Sequence, residues 1–224
     1  MISLRNISKS FNGRHILRDI NFHVSKGECL CLVGSSGVGK STILNIIAGL
    51  ILPDTGEIEV NGRLVEQKNQ IDANPIHLHP SERNLGYVMQ DSGLFPHMTM
   101  YQNISFPLEA KNLSKDIIEM KVKKLMNQLE IRDIAHQFPS HASGGQIKRV
   151  ALARSLVQEP PILLMDEPLS SLDRNLKDLL KSKIRNLVSD LNLTIIYVTH
   201  DLSEAKFIAN RIAVVKDGII KTAI

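Results

Sequence analysis

The sequence predicts an α/β fold built on buried strands, with an antiparallel β part near the N-terminus and a mostly helical insertion in the middle. Short apolar runs at residues 29–33, 162–166 and 194–199 are typical of strands buried on both faces of a sheet. Helical periodicity follows the first two runs, as it does when strands and helices alternate. The stretch from residue 90 to about residue 160 favours helices.

Hairpin signals place antiparallel strands on both sides of the first buried run. Asn-Gly pairs at residues 12–13 and 61–62 each lie between alternating runs, which is the strongest short-range signal for a tight hairpin. Residues 57–60 alternate glutamate with isoleucine and valine, as a half-buried strand does. We therefore expect an antiparallel β part there.

Three later segments have the periodicity of helices, and one more strand follows them. Residues 116–129 place their apolar side chains on one face, and residues 144–158 and 172–188 continue as helices. A last strand is predicted at residues 212–215 and turns back at residues 217–218. This order of elements completes the α/β prediction.

Composition restricts the function classes. The chain has 224 residues, 43% of them hydrophobic, which is ordinary for a globular protein. Its net charge of +4 comes from scattered basic residues. A nucleic-acid-binding arm would show a dense basic block, so we expect no nucleic acid partner. The longest apolar stretch, residues 43–52, is too short to cross a membrane, and no secretory leader precedes the structured sequence. A membrane span would therefore come from another chain.

Two pairs of metal-binding residue types have simpler interpretations. Cys29 and Cys31 lie on one face of a buried strand and are expected to be small buried hydrophobes in a reducing compartment. His77 and His79 have no ligand cluster near them in the sequence. We predict a loop with incidental histidines there rather than a metal site.

A glycine-rich loop joins the first buried run to a helix. Glycines let successive backbone N–H groups point into one concavity that binds an anion, and the helix that follows adds its positive end. A lysine supplies charge to the phosphates, and a hydroxyl is offered to Mg²⁺. A turn that merely shortens a loop is the alternative, but the spacing and both flanks favour a phosphate site. Its residues are Gly34, Ser35, Ser36, Gly37, Val38, Gly39, Lys40, Ser41 and Thr42.

Two adjacent carboxylates, Asp166 and Glu167, follow the second buried run. Neighbouring side chains at a strand's end point in different directions. One carboxylate can then hold Mg²⁺ while the other polarises an attacking water. A solvated helix cap is the alternative, and the glycine-rich loop upstream favours the catalytic interpretation.

A second helix start has the features of an anion site. Ser143 offers a hydroxyl, Gly144 and Gly145 leave their backbone N–H groups accessible, and Gln146 follows. An ordinary N-cap formed by Ser143 is the alternative, and the two roles are compatible. One nucleotide in one chain does not obviously need two such sites.

Taken together, these motifs resemble those of ATP-binding subunits of ABC transporters over nearly the whole chain. The signature motif departs from the usual pattern only in Ala142, which replaces a leucine. In chain order, the matching features are Phe11 at the adenine-stacking aromatic, 34–42 at Walker A, Gln90 at the Q-loop, 142–146 at the signature, 162–167 at Walker B, 171–173 at the D-loop and His200 at the switch histidine.

The resemblance implies a P-loop NTPase core of ABC type. It implies that residues 1–90 and 160–224 form this core together with its antiparallel β part. Residues 91–159 would form a helical subdomain between the Q-loop and the signature motif. A single ABC ATPase domain of 1–224 is expected, without a C-terminal regulatory domain.

The resemblance also implies the roles of the site residues. Two subunits would pair head to tail, with each ATP between the Walker A motif of one and the signature of the other. Ser41, Gln90 and Asp166 would serve Mg²⁺, Glu167 would be the general base, and His200 would contact the γ-phosphate. Lys40 and Gln90 would also act in catalysis. A lone histidine at a strand end is otherwise more often structural.

The stretch 80–99 narrows the resemblance to bacterial importers of polyamines, ferric iron, thiamine, molybdate or sulfate. The implied partners are a second ATPase subunit, transmembrane permease subunits and, indirectly, a solute-binding protein. The implied location is the cytoplasmic face of the cell membrane, through the permease. Residues 91–110 would receive the permease. Phe95, Met98 and Met100 suit either such a docking groove or the helical core.

A different class within the same family is the alternative function. ABC ATPases without a transport role act as cytosolic binding or remodelling modules. Members that act on chromosomes carry long coiled coils, and sustained heptads are missing here. Members that act on ribosomes carry two ATPase domains in one chain, whereas a single set of motifs occurs here. The sequence therefore favours the transport role.

Overall fold

The computed structural model describes residues 1–69, 75–170, 172 and 174–223. These residues form two sheets and six α-helices. The strands are β1 Ile2–Phe11, β2 Arg14–Val24, β3 Cys29–Val33, β4 Thr55–Val60, β5 Arg63–Lys68, β6 Ile76–His77, β7 Leu85–Val88, β8 Ile162–Asp166, β9 Thr194–Thr199, β10 Arg211–Lys216 and β11 Ile219–Ala223. The helices are α1 Lys40–Ala48, α2 Met100–Glu109, α3 Lys115–Gln128, α4 Gly144–Leu156, α5 Arg174–Leu191 and α6 Leu202–Ile208.

The first sheet is antiparallel, with the strand order β2-β1-β4-β5-β6. Both predicted hairpins are confirmed. Asn12 and Gly13 have φ of 49° and 77°, and Asn61 and Gly62 have φ of 51° and 78°. Two consecutive residues with positive φ give the turn whose twist matches that of the flanking strands, which is why asparagine and glycine occupy these positions.

The second sheet has the order β11-β10-β3-β9-β8-β7, and all its neighbours are parallel except β10 and β11. The three strands predicted to be buried, β3, β9 and β8, lie side by side in its middle and are buried along their whole length. Because they are parallel, their carboxyl ends meet at one edge of the sheet. In open α/β sheets ligands bind outside this edge.

Alternate residues of the central strands pack into two different cores. Leu30 and Leu32 face α1 and the antiparallel sheet, so α1 lies between the two sheets. Cys29 and Cys31 face the other core, which the helices α2 to α6 cover. Both cysteines are buried free thiols, as the sequence analysis predicted.

The proposed docking residues separate in the structure. Met100 is fully buried in the helix-covered core, so of the two alternatives, docking groove and helical core, the structure selects the core for this residue. Phe95 and Met98 are half-buried. Phe95 packs edge-on against the exposed ring of Phe106, with ring centroids 5.0 Å apart.

Among the helices described, none is long and apolar enough to cross a membrane.

A buried ion pair fixes the far end of α1. Arg83 is fully buried, and its guanidinium donates to the carbonyl oxygens of Ile46 and Ile47 and to Glu66 Oε2, 2.5 Å away. His77 Nδ1 lies 2.7 Å from the same Glu66 oxygen. A charge is buried here at acceptable cost because every partner is in place.

This contact corrects the prediction of a loop with incidental histidines. His77 lies in β6 and pairs with a buried carboxylate. The prediction missed this because the partner, Glu66, belongs to the neighbouring strand. Within the residues described, no group of three histidine, cysteine, aspartate or glutamate side chains could hold a metal ion.

Candidate nucleotide site

The glycine-rich loop connects β3 to α1 at the carboxyl edge of the parallel sheet. Gly39 is the N-cap residue of α1, with φ of 102°, and no side chain caps this end. A Cβ atom at Gly39 would lie 2.7 Å from Leu17 Cδ2, and side-chain-bearing residues rarely adopt this φ, so both the space and the backbone favour glycine. The backbone N–H groups of the first turn lack intrahelical partners and are available to an anion.

Lys40, the first residue of α1, folds back over this loop. Its ammonium donates to the carbonyl oxygens of Gly34 and Ser35, both at 2.9 Å, and the side chain is only 4% exposed. Burial lowers the pKa of Lys40, while the nearby charges of Glu167 and Asp166 act in the opposite direction. The nearby carboxylates therefore offset only part of the cost of burying the lysine's positive charge. An anionic ligand bound at the loop would supply the missing negative charge.

Ser41 and Asp166 meet although 125 residues separate them in the chain. Ser41 Oγ donates to Asp166 Oδ1 at 3.0 Å, and Asp166 ends the central strand β8. Burial raises the pKa of Asp166, and the charge of Glu167 raises it further, against the hydrogen bond from Ser41. A hydroxyl and a carboxylate thus form an all-oxygen pair, which is the kind of ligand set that Mg²⁺ prefers.

Glu167 turns away from Asp166 at the strand's end. Its φ is 45°, a left-handed conformation, and its backbone N–H donates to the carbonyl of Val198 on β9. Glu167 Oε1 lies 4.0 Å from Lys40 Nζ, and Glu167 Oε2 lies 3.1 Å from His200 Nδ1. The structure therefore brings Lys40, Ser41, Asp166, Glu167 and His200 together, as the sequence analysis expected.

Gln90 follows β7, the strand beside β8, and its side chain is exposed. Helix α4 holds the segment that contains it. Ser155 donates to the carbonyl of Tyr87 at 2.8 Å. Arg154 donates to the carbonyls of Ser92 and Gly93, residues just beyond Gln90.

Lys148 on α4 is a residue that the sequence analysis missed. Its ammonium donates to the backbone carbonyl of Gln90. Burial lowers the pKa of Lys148, and the charges of Asp91, Asp166 and Glu167 oppose that effect. A lysine on the signature helix thus lies within the electrostatic field of the carboxylate pair. The residues around Lys148 in the sequence form no motif that distinguishes it from other surface lysines, so nothing in the sequence signalled its role.

The second helix start is well formed. Ser143 Oγ accepts from the Gln146 backbone N–H, and the Gln146 side chain accepts from the Ser143 backbone N–H, so the two residues make a capping box. A Cβ atom at Gly144 would meet nothing, whereas one at Gly145 would lie 2.0 Å from Leu176 Cδ2. The helix start is thus open at Gly144, and Gly145 permits close packing on α5.

This second helix start and the glycine-rich loop have separate hydrogen-bond partners in the described residues. Among the described residues, no hydrogen bond or ion pair joins 143–146 to 34–42. In the predicted D-loop, Ser171 and Asp173 lie outside the described residues, and Leu172 packs against the helix-covered core. Within the described part of one chain, the two anion-binding features therefore share no direct polar contact.

A cavity of about 550 Å³ lies between the glycine-rich loop and the first hairpin. Phe11 ends β1 near the hairpin turn, is 42% exposed, and has Lys9 Nζ 5.2 Å from its ring centroid. The sequence analysis had not singled out the basic residues of this cavity. The wall contains Arg14, His15, Arg18, Ser36, Gly37, Val38, Asp217 and Gly218, among others.

Comparisons with known proteins agree with this architecture. A family model described as ABC transporter matches residues 17–170. The chain is 37% identical to the spermidine/putrescine import ATP-binding protein PotA of Thermotoga maritima, and 41% identical to the sulfate/thiosulfate import ATP-binding protein CysA of Pseudomonas aeruginosa. In each case 98% of the chain is matched, and it spans 57% and 65% of the length of these two relatives.

Two solved structures are similar over the whole chain. A dimeric structure of MJ0796, a bacterial ABC transporter cassette, superposes with a TM-score of 0.87 at 31% identity. A dimeric post-hydrolysis state of the same cassette bound to ADP and Pi gives 0.86 at 30% identity. Each comparison covers 100% of this chain and 98% of the other. With these likenesses and a family model that matches most of its length, the chain belongs to the ABC transporter family, as an ATP-binding domain.

Proposed function

We propose that the chain binds Mg²⁺-ATP, hydrolyses it and thereby powers a bacterial solute importer. The observation that carries the proposal is the meeting of Lys40, Ser41, Asp166, Glu167 and His200 at the carboxyl ends of β3, β8 and β9. Each group has a distinct task in phosphoryl transfer, where catalysis depends on positioning and electrostatic stabilisation.

Residues 34–42 bind the β- and γ-phosphates. The first N–H groups of α1 point to the anion, and Lys40 supplies a charge that burial makes costly to leave unpaired. Phe11 lies next to the cavity between the glycine-rich loop and the first hairpin. Its exposed aromatic ring provides a face on which the adenine stacks. When a ligand brings a phosphate to Lys40, the ammonium exchanges its hydrogen bonds to the carbonyls of Gly34 and Ser35 for contacts with the phosphate.

Ser41, Asp166 and the side chain of Gln90 would hold Mg²⁺. The hydroxyl and carboxylate already lie 3.0 Å apart, and the donors are all oxygens, so the residues fit the ion. When bound, Mg²⁺ would neutralise charge that develops on the phosphate oxygens. Lys148 holds the backbone of Gln90 in place for this purpose.

Glu167 acts as the general base. It accepts the proton of the attacking water, and His200 orients the carboxylate through its 3.1 Å contact while it reaches toward the γ-phosphate. The backbone of Glu167 is fixed by its hydrogen bond to Val198, which sets the direction of the side chain. Asp166 remains directed at Ser41.

The second helix start supports a site shared between two chains. Residues 143–146 are open at Gly144 and, among the described residues, make no hydrogen bond or ion pair with 34–42 of their own chain. A head-to-tail dimer would place them on the ATP of the partner, and the similar cassettes are dimeric in their structures. We propose that residues 1–90 and 160–224 form the ATPase core and 91–159 the helical signature subdomain of one domain.

Transmembrane permease subunits would be the partners that couple hydrolysis to import. A solute-binding protein would act indirectly, and the chain would lie at the cytoplasmic face of the membrane. The similar relatives named above serve import of a cationic solute in one case and an anionic solute in the other. We therefore place the choice of solute in the partner chains rather than in the ATPase.

Complementation of two defective chains tests the shared site. Lys40→Ala breaks the phosphate loop and leaves the signature intact, whereas Ser143→Arg blocks the signature and leaves the phosphate loop intact. Their mixed dimer has one site with both defects and one with none. Glu167→Gln in both chains prevents turnover. We expect ATP to drive association of the mixture, measured by light scattering, but not of either mutant alone.

The control is the Glu167→Gln chain without a second substitution, which should associate on addition of ATP. If the mixture associates no better than the separate mutants, although each one retains its circular dichroism spectrum, the shared site is wrong. The family membership would stand, and the proposed arrangement of ATP between two chains would not.

A further inference from the structure

We infer that a second cavity, at the opposite end of the parallel sheet from the nucleotide site, binds a small amphiphilic carboxylate. The cavity has a volume of about 490 Å³, within the range of about 300–1,000 Å³ that is usual for small-molecule sites. It lies between α3, the segment 156–161 that enters β8, and the residues 192–194 where β9 begins.

The floor of the cavity is apolar. Leu156, Val157 and Leu193 line it and are themselves at most 5% exposed, so they are fixed parts of the protein. Pro160 and Pro161 add rigid apolar surface at the entry to β8. A hydrocarbon or aromatic body of a ligand would gain about 25 cal/mol for each Å² of apolar surface that it buries there.

The rim of the cavity carries an excess of positive charge. Lys26, Lys121 and Lys124 line it, together with a single acidic residue of the described part, Glu159. Glu159 pairs with Lys121 at 2.8 Å and is 71% exposed. After that pair is subtracted, two lysines remain for a negative head group. A neutral or cationic amphiphile would leave these charges without a partner.

The position of the pair Lys121–Glu159 suggests how the head group enters. Lys121 belongs to α3 and Glu159 to the segment before β8, so the ion pair closes one side of the cavity. Glu159 has a left-handed φ of 52°, and its side chain reaches Lys121 on the helix. A carboxylate from a ligand is chemically equivalent to the Glu159 side chain and can share or replace its contact with Lys121.

Apolar floor and cationic rim together select a single chemical class. A purely polar anion such as phosphate would not use the floor, and an alcohol would not use the rim. This inference does not depend on the proposed function, because the cavity shares no residue with the nucleotide site. It adds a ligand site to the chain rather than a detail of ATP hydrolysis.

Isothermal titration without nucleotide tests the inference with three probes that share one tail. Decanoate carries a carboxylate head, decanol a neutral head and decyltrimethylammonium a cationic head; the two ionic probes are used below their micellar concentrations and decanol below its solubility. We expect decanoate to bind with a stoichiometry of one, decanol roughly tenfold more weakly because it lacks the charge pair, and the ammonium not at all.

Three variants locate the binding. Gln128→Trp places a large ring into the cavity from an exposed position on α3 and should abolish binding of decanoate. Lys26→Gln with Lys124→Gln, the two rim lysines without a carboxylate partner in the described residues, should weaken decanoate roughly tenfold or more and leave decanol unchanged. Lys123→Gln is the matched control, because Lys123 is exposed on the same helix and does not line the cavity.

Any one of three results would overturn the inference. Equal affinity for the three probes would show that the charged rim selects nothing. Decanoate binding that survives Gln128→Trp, or that Lys123→Gln weakens as much as the cavity substitutions do, would place the ligand elsewhere on the surface. Gln128 and the lysines are at least partly exposed, so these variants should fold, and circular dichroism verifies it.

Discussion

His200 Nδ1 lies 3.1 Å from Glu167 Oε2, and this contact joins the ends of two neighbouring strands. Glu167 follows β8, and His200 follows β9. The same carboxylate has Lys40 Nζ 4.0 Å from its other oxygen. Glu167 is thus held between the group that would bind phosphate and a histidine, in a position from which it can accept a proton.

Glu167→Gln should retain ATP binding and lower the rate of hydrolysis by about 10²–10⁴, because an amide cannot accept the proton of water. His200→Ala should also lower the rate. If His200 and Glu167 act as one unit on the γ-phosphate, their effects are not additive. The variant that carries both substitutions should then hydrolyse ATP no more slowly than Glu167→Gln alone. Phosphate release under saturating ATP measures all three.

Near-normal turnover in purified Glu167→Gln would remove Glu167 from the role of general base. Losses that multiply in the double variant would instead show that the two residues act independently. A titration with ATP, made on each variant, separates a loss of binding from a loss of chemistry.

Lys40→Ala should lose affinity for ATP, because the phosphate charge is no longer compensated at the loop. The substitution also removes two hydrogen bonds to the carbonyls of Gly34 and Ser35. Equilibrium binding of a fluorescent ATP analogue measures the loss. Lys123→Ala, an exposed lysine on α3, serves as the control and should bind normally. Unchanged affinity in Lys40→Ala would contradict the phosphate assignment.

Asp166→Asn should stabilise the protein at neutral pH in the absence of nucleotide and metal. Burial raises the pKa of Asp166, so its protonated form is favoured in the folded state. The stability that comes from this preference is present at low pH and is lost as the pH rises through the raised pKa. Asparagine avoids the buried charge while its amide oxygen can still accept from Ser41.

We expect Asp166→Asn to raise the free energy of unfolding by about 1 kcal/mol at neutral pH. For a chain of this size, that corresponds to a melting temperature about 2–4 °C above that of the native chain. The difference should shrink as the pH is lowered and the native carboxyl becomes protonated. Asp116→Asn, at an exposed position on α3, is the control. A difference that grows toward acid pH would mean that Asp166 is stabilised as the anion, and the argument would fail.

Lys148→Met should loosen the segment around Gln90. The lysine donates a hydrogen bond to the Gln90 carbonyl. A hydrogen bond contributes about 0.5–1.5 kcal/mol of net stability, so its loss should make amide exchange in this segment roughly two- to tenfold faster. The increase should be confined to residues 89–91, because Arg154 and Ser155 still hold the flanking carbonyls. Hydrogen exchange read by mass spectrometry measures it.

Lys148→Arg is the matched control, since it keeps a charged donor on α4. It should return exchange toward the native rate. If Lys148→Met leaves exchange at residues 89–91 unchanged, the contact does not restrain the Gln90 segment. ATP hydrolysis of the same variants then shows whether the restraint matters for turnover.

Local constraints explain what the sequence analysis predicted correctly. The hairpin turns, the buried strands and the start of α4 depend on neighbouring residues: two positive φ values at Asn12 and Gly13, an unbroken apolar run, and a capping box between Ser143 and Gln146. The fold class and the family follow from such features in order along the chain. Hydrophobic pattern could not place Met100, because a half-turn of rotation on a helix decides between core and surface.

The amino-acid sequence by itself determined which residues we propose for the chemistry, since phosphate loops, paired carboxylates and helix caps are short motifs with fixed spacing. Only the tertiary structure decided which distant groups meet. Ser41 contacts Asp166, Arg83 pairs with Glu66, and Lys148 reaches Gln90 because strand order and helix packing bring together positions that are far apart in the chain. No local pattern encodes these encounters, because they depend on the register of several elements at once.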